Sequence, residues 1–300
     1  MAKQALILGL VNDALALIAR LGACRSATSR PTRWDCWTLV AGQNVEPGDQ
    51  EGTWRIAQRV ATDRVISVLD PEARHLHKSR SEYRDGYKPH VAVEPDTGIV
   101  TGAALTPANA GDGPTGVRLL DSEDDGCEVY ADSAYGSGDT GADIRRSGHD
   151  PVIKPIPLRP VVPGGFTRDD FITDRRARTA SCPDGHTVPI TAFTANAARC
   201  ARSAPTAADG RTLRLSPHDD ELVYGRQAWG EPVVHAHYRQ HRPMVERTIA
   251  WLVAHGNRRV PSRGVYRNQQ WLLHRVAALN LRRLVNLGVR RDVDRWTVLA

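Results

Sequence analysis

The chain has 300 residues, of which 41% are hydrophobic and 25% charged, with a formal net charge of +6. That length allows one large domain or two ordinary ones, and the balance is that of a globular chain with a buried core, not a disordered or fibrous one. No run approaches the roughly 20 apolar residues that cross a bilayer, so a membrane protein is not expected.

The first periodic stretch, Ala5 to Leu21, is apolar but interrupted by Asn12, Asp13 and Arg20. It lacks a basic leader and a small-residue cleavage site, so it predicts an amphipathic helix rather than a secretory signal, and a cytoplasmic location. Cys24 to Trp37 has no usable periodicity. Val65 to Leu69 predicts a short strand ending on Asp70. Tyr87 to Glu94 alternates, with Tyr87, Val91 and Val93 set against Lys88, His90 and Glu94, the pattern of a half-buried strand. Pro95-Asp96-Thr97-Gly98 is a turn signal, and Ile99 to Leu105 returns as the hairpin partner.

Thr106 to Asp125 is weakly helical. Glu128 to Ala131 predicts another strand, ending at Asp132, followed by a helix near Asp139 to Arg146 and a short strand from Pro151 to Lys154. Three antiparallel strands followed by helix, strand, helix and strand suit a mixed α/β sheet. Pro155 to Gly165 is rich in proline and marks a linker or insertion boundary. Phe166 to Asp220 reads as short strands and loops. Glu231 to Gly256 predicts a single helix burying Met244, Val245, Thr248, Ile249, Leu252 and Val253. A second amphipathic helix spans Trp271 to Leu287. The organisation expected is an N-terminal helical remnant over 1–60, the first part of a core over 61–155, an insertion over 156–230, and helices completing the core over 231–290.

Charge is distributed unevenly. From Tyr238 to Ala300 there are thirteen arginines against Glu246, Asp292 and Asp294, while the only lysines in the chain are Lys3, Lys78, Lys88 and Lys154. A basic excess confined to one end points to a polyanionic partner. Arg258, Arg259, Arg263 and Arg267 are read as phosphate contacts, against the plainer reading of a solvated loop.

Asp70 and Asp132 both end predicted strands. Side by side in a sheet they would share divalent cations, and magnesium favours such hard oxygen ligands. Glu246, on a helix with Arg239 and Arg242 at spacings of three and four, is a candidate third carboxylate. The plainer alternatives stand beside these: strand-end aspartates often cap turns, and Glu246 is also an i, i+4 partner of Arg242. The histidines His75, His77 and His90 are expected at solvated strand positions. The five cysteines, Cys24, Cys36, Cys127, Cys182 and Cys200, are odd in number and scattered, so reduced thiols are expected. Cys182, Cys200 and His186 fall short of a zinc ligand set, and no structural zinc is expected.

Several strings taken together resemble the DDE transposases of bacterial insertion sequences. They are DPEARHLHKSRSEYRDGYKPHVAVEPDTGIVTGAALTPAN (70–109), VYADSAYGSG (129–138), VIKPIPLRPVVPGGFTRDDF (152–171), YRQHRPMVERTIAWLVAHGNRR (238–259) and WLLHRVAALNLRRLVNLG (271–288). The resemblance implies a ribonuclease-H-like mixed sheet flanked by helices, with a loop- and β-rich insertion before the C-terminal catalytic helix. It implies DNA cleavage and strand transfer at inverted-repeat ends, two magnesium or manganese ions as cofactor, double-stranded DNA as partner, a homodimer on DNA and association with the nucleoid.

Motif matching places Asp132 at the second acidic position of the family and Glu246 at the third. Arg242 matches the arginine four residues before that glutamate, and Tyr238 the tyrosine preceding it. Arg239, Arg247, Arg258, Arg259, Arg263 and Lys88 are the accompanying nucleic-acid contacts. Val253 stands where some relatives carry a lysine. Relatives of this type carry an Asp-Ser-Thr or Asp-Gly-Thr strand upstream, and neither tripeptide occurs here. Two alternatives follow. Asp70 is the first carboxylate of an active enzyme, or the chain is a truncated, DNA-binding remnant without one.

Overall fold

The alternation around Pro95-Asp96-Thr97-Gly98 closes, as its period of two requires, into an antiparallel hairpin. The computed structural model describes residues 2–22, 42–47, 54–58, 61, 63–77, 82–160, 163–191, 194–196, 212–293 and 295–298. Cys24, Cys36 and Cys200, and the stretch Cys24 to Trp37, lie outside the described residues.

In chain order the elements are α1 (Ala2–Gly22), β1 (Val45–Pro47), β2 (Trp54–Ile56), β3 (Arg74–His77), β4 (Tyr83–Val93), β5 (Val100–Pro107), α2 (Asp112–Arg118) and β6 (Glu128–Ala131). A 3-10 turn (Ser133–Tyr135), α3 (Gly138–Arg146) and β7 (Asp150–Ile153) follow. Next come the short strands β8 (Ile172–Asp174), β9 (Thr179–Ser181), β10 (Thr187–Thr191), β11 (Thr194–Asn196) and β12 (Thr212–Arg214). The chain closes with α4 (Asp219–Trp229), α5 (Pro232–His241), α6 (Pro243–Val253), α7 (Val265–Asn286), β13 (Val289–Asp292) and β14 (Arg295–Val298). The mixed α/β class expected from the sequence is the class the chain adopts. Two units are distinguished, Met1–Gly111 with Thr248–Ala300, and Asp112–Arg247.

In the first unit, β3, β4 and β5 form an antiparallel sheet. Val100 and Leu105 of β5 pack with Leu252 of α6 and with Leu272 and Val276 of α7. The outer edge of β5 would expose unpaired backbone groups, a liability in any sheet. Two side-chain amides of α7 satisfy it. Asn280 accepts from the Val100 N–H at 2.9 Å and donates to its carbonyl at 2.8 Å, and Gln269 accepts from Leu105 and donates to Ala103.

The strand expected at Val65 to Leu69 does not form. Val65 is buried, but its N–H and C=O are taken by the side-chain amide of Gln43 at 2.8 and 2.6 Å, so a glutamine replaces a neighbouring strand. The third strand of the sheet is β3, further along the chain. His90 also departs from expectation: it is 3% exposed, its Nε2 lying 2.9 Å from the Thr106 hydroxyl across the hairpin.

In the second unit, β6 and β7 pair in parallel, with Glu128 opposite Asp150 and Ala131 opposite Ile153, joined by a crossover through α3. Parallel pairing needs such a crossover. The segment expected as an insertion forms an antiparallel meander, β8 to β12, around Phe171, Ala180, Cys182 and Leu213. Arg168–Asp219 and Arg226–Asp169 ion pairs tie it to α4, a helix that begins at the end of the stretch expected as short strands and loops.

The single helix expected over Glu231 to Gly256 is two helices, α5 and α6. Pro243 is the reason. It has no N–H to continue the hydrogen-bond ladder of α5, whereas the first position of a new helix suits it, and Arg242 before it keeps a helical φ of −57° and ψ of −33°.

Candidate active site

The site is assembled where β6 ends and where α5 breaks into α6. Asp132 follows the last residue of β6 and caps the 3-10 turn, its Oδ1 accepting from the Ala134 N–H at 2.9 Å. That bond fixes the carboxylate and leaves Oδ2 for another partner. The partner is Arg242, whose Nη2 donates to it at 3.0 Å.

Arg242 sits at the helix break, its backbone N–H still bonded to the Tyr238 carbonyl of α5. Glu246 lies one turn into α6, and its Oε1 is 3.0 Å from Nη1 of the same guanidinium. This second contact is a charge approach without hydrogen-bond alignment, because Nε and Nη1 of Arg242 are shielded from solvent and lack an aligned acceptor. One guanidinium thus bridges two carboxylates from distant parts of the chain. The cation is the buried member, 14% exposed, while the Asp132 and Glu246 side chains are 45% and 69% exposed.

Two phenols complete the surroundings. Tyr135 is pushed up to about 12, first by burial and then by the negative charges of Asp112 and Asp132, with Arg242 opposing. Its ring lies so close to α2 that a Cβ on Gly116 would come 2.5 Å from it, so only glycine fits there. Tyr238 is also raised, by burial first, against the opposing charge of Arg242, and its ring meets Trp229 edge-on at 4.7 Å. At the neighbouring strand position, Tyr130 lies 5.1 Å from the His241 ring.

Arg239 and Arg247 are exposed in this unit. Sequence reasoning missed Tyr135, although it stands in the same Tyr-Ala-Asp-Ser-Ala-Tyr string as Asp132.

Asp70 belongs to the other unit and has different partners. Its Oδ1 accepts from the Tyr87 hydroxyl at 2.6 Å and from the Gly264 N–H at 3.1 Å. Gly264 is the N-cap of α7, with a φ of 85° that favours glycine. Next to it, the Val265 N–H donates to Glu72, and the fully buried Asn268 holds the loop through Ser262 and Gly264. Burial first, and then the bond to Asp70, raises the Tyr87 phenol above its ordinary value. Asp70 and Glu72 therefore close the orphan donors of a helix start, which favours negative charge.

Lys88 donates to the Ala110 carbonyl at 2.9 Å. Arg258, Arg259 and Arg263 are exposed in the first unit. Two other C-terminal arginines are structural: Arg275 donates to the Leu252 carbonyl at the end of α6, and Arg283 lies 4.0 Å from the Trp251 ring.

The model of the transposase DDE domain matches residues 53–281. The chain belongs to the DDE transposase family. That membership places its role in transposition, and the family generally uses divalent metal ions. No curated protein and no solved structure matched this transposase chain. Among the described residues, no helix is long and apolar enough to cross a membrane.

Proposed function

We propose that the chain is a DNA-cleaving and strand-transferring transposase whose metal ligands are Asp132 and Glu246. The observation that carries this reading is the shared guanidinium: it brings the two family-motif carboxylates to one cation, with both still open to solvent. The donor set fits magnesium or manganese. Both ligands are hard oxygens, and magnesium is commonly held by one or two carboxylates with water and phosphate oxygens completing its shell. Among the described residues no three His, Cys, Asp or Glu side chains converge, so substrate oxygens complete the coordination in this reading.

When bound, two such ions generate the nucleophile and stabilise the leaving oxygen. The chain's own residues do the rest. Asp132, fixed by the Ala134 N–H, and Glu246, fixed on a helix, hold the ligand oxygens in place. Exposed Arg239, Arg247, Arg258, Arg259 and Arg263 bind phosphates without reading sequence. In the first step a water oxygen attacks phosphorus at the transposon end and the 3′-oxygen leaves as a hydroxyl. In the second, that hydroxyl attacks a target phosphodiester and displaces its 3′-oxygen. A ribonuclease-H-like arrangement of the core and a homodimer on inverted-repeat DNA belong to the same proposal. Asp70 is left out of the metal site, because its carboxylate is committed to Tyr87 and Gly264.

The test is cleavage of duplex DNA carrying the element's ends, with magnesium or manganese. Cutting and joining that disappear in Asp132→Asn and in Glu246→Gln support the reading. Wild-type protein that binds DNA but never cuts it overturns the catalytic part.

A further inference from the structure

We infer that Arg242 is a resident cation that occupies the carboxylate pair until a divalent ion takes its place, and so couples metal binding to DNA binding. This inference rests on the metal-site reading above.

The geometry carries it. Arg242 meets Asp132 and Glu246 through different nitrogens of one rigid fork, both at 3.0 Å, which is how a single cation spans two carboxylates. Its hold is incomplete. Only the Asp132 contact is an aligned hydrogen bond, while Nε and Nη1 remain shielded and unaligned. A buried donor without an acceptor is costly, so the bridged arrangement is easily exchanged. The carboxylates face water, so an ion reaches them from outside without moving the backbone. Between Glu231 and Asp292 the only acid is Glu246, so α5 and α6 offer Arg242 no other carboxylate once an ion holds these two. The Tyr238 hydroxyl beside it is neutral, so a phosphate oxygen is the anionic partner that DNA then offers it.

Two consequences follow. Removing Arg242 strengthens metal binding, because a competing cation is lost. Wild-type protein binds a divalent ion more tightly when DNA is present, because phosphate takes the displaced arginine, and by linkage the ion strengthens DNA binding by the same factor.

The experiment is titration of the DNA-free protein with manganese, followed by electron paramagnetic resonance of the free ion, and repeated with short duplex DNA. Arg242→Gln is expected to bind manganese at least about fivefold more tightly than wild type, the size of one partly exposed charge interaction. DNA is expected to raise the affinity of wild type by a clearly larger factor than that of Arg242→Gln, in which the substrate oxygens on the ion are the only gain. Arg242→Lys, a point charge that serves one carboxylate at a time, is expected to fall between the two, and it carries the test if Arg242→Gln does not fold. Unchanged or weaker manganese binding in a folded Arg242 variant overturns the inference and leaves Arg242 a structural residue. If Asp132→Asn and Glu246→Gln bind manganese as wild type does, the metal-site reading itself fails.

Discussion

Two aspartates that the sequence places alike, each after a short apolar run, have opposite surroundings. Asp70 is held by neutral donors, a phenol and a backbone N–H, at the start of α7. Asp132 is held by one backbone N–H and one guanidinium, and shares that guanidinium with Glu246. A carboxylate satisfied by neutral groups in a helix cap has nothing to exchange, and replacing it breaks the cap. A carboxylate paired with a cation at the surface can trade that cation for another. In the proposed reading this difference in partners separates an aspartate that holds the fold from one that holds the metal.

The largest effect expected is on catalysis. Asp132→Asn and Glu246→Gln should each reduce strand cleavage by at least about 100-fold, since metal-based charge stabilisation supplies several kcal/mol of barrier lowering. Circular dichroism should show both variants folded. Comparable cleavage by either would remove the distinction between the two aspartates.

DNA binding is the next largest. Replacing Arg258, Arg259 and Arg263 together by alanine should weaken binding to unrelated duplexes alike and lower the salt-dependence slope by about 3 if each touches one phosphate. An unchanged slope in a filter-binding or anisotropy series would return these residues to a solvated loop.

A smaller effect separates the clamp from the site. Asp70→Ala should cost about 1–2 kcal/mol of stability by removing the cap at Gly264, read as a lowered midpoint in urea. Asp70→Asn keeps an acceptor oxygen and should recover most of that loss. Equal losses in the two variants would mean that the charge, not the hydrogen bonds, holds α7.

The smallest effect is alkaline. Tyr135 titrates near 10 when unfolded and about 12 when folded, because burial and two carboxylates disfavour the phenolate. Its contribution to stability is complete below pH 10 and is lost as pH rises from 10 through about 12. Tyr135→Phe should flatten part of that decline. Tyr87 shifts in the same direction, so some alkaline sensitivity should survive the substitution.

Much of this was legible in the sequence. Period-two alternation and a Pro-Asp-Thr-Gly turn suffice for the hairpin, and the strand before Asp132 appears with its expected bounds, because both signals are local. The apolar run at Val65 misled because strand identity depends on a partner, and the partner there is the Gln43 side chain, 22 residues away. The helix break at Pro243 was visible in principle, but the apolar stripe on both sides outweighed one proline. The site was half legible. Motif strings single out Asp132, Arg242 and Glu246 as candidates, and i, i+4 spacing predicts the approach of Arg242 to Glu246. That one guanidinium serves both carboxylates, and that Asp70 caps a helix starting at Val265, are long-range contacts that no local pattern records.

The central claim, that Asp132 and Glu246 hold the metal while Asp70 holds the fold, is tested most directly by manganese titration of three conservative variants beside wild type. The account predicts that Asp132→Asn and Glu246→Gln lose manganese binding and keep their thermal midpoints, while Asp70→Asn binds manganese as wild type does. Loss of manganese binding in Asp70→Asn with the fold intact, or its retention in Asp132→Asn, would contradict it.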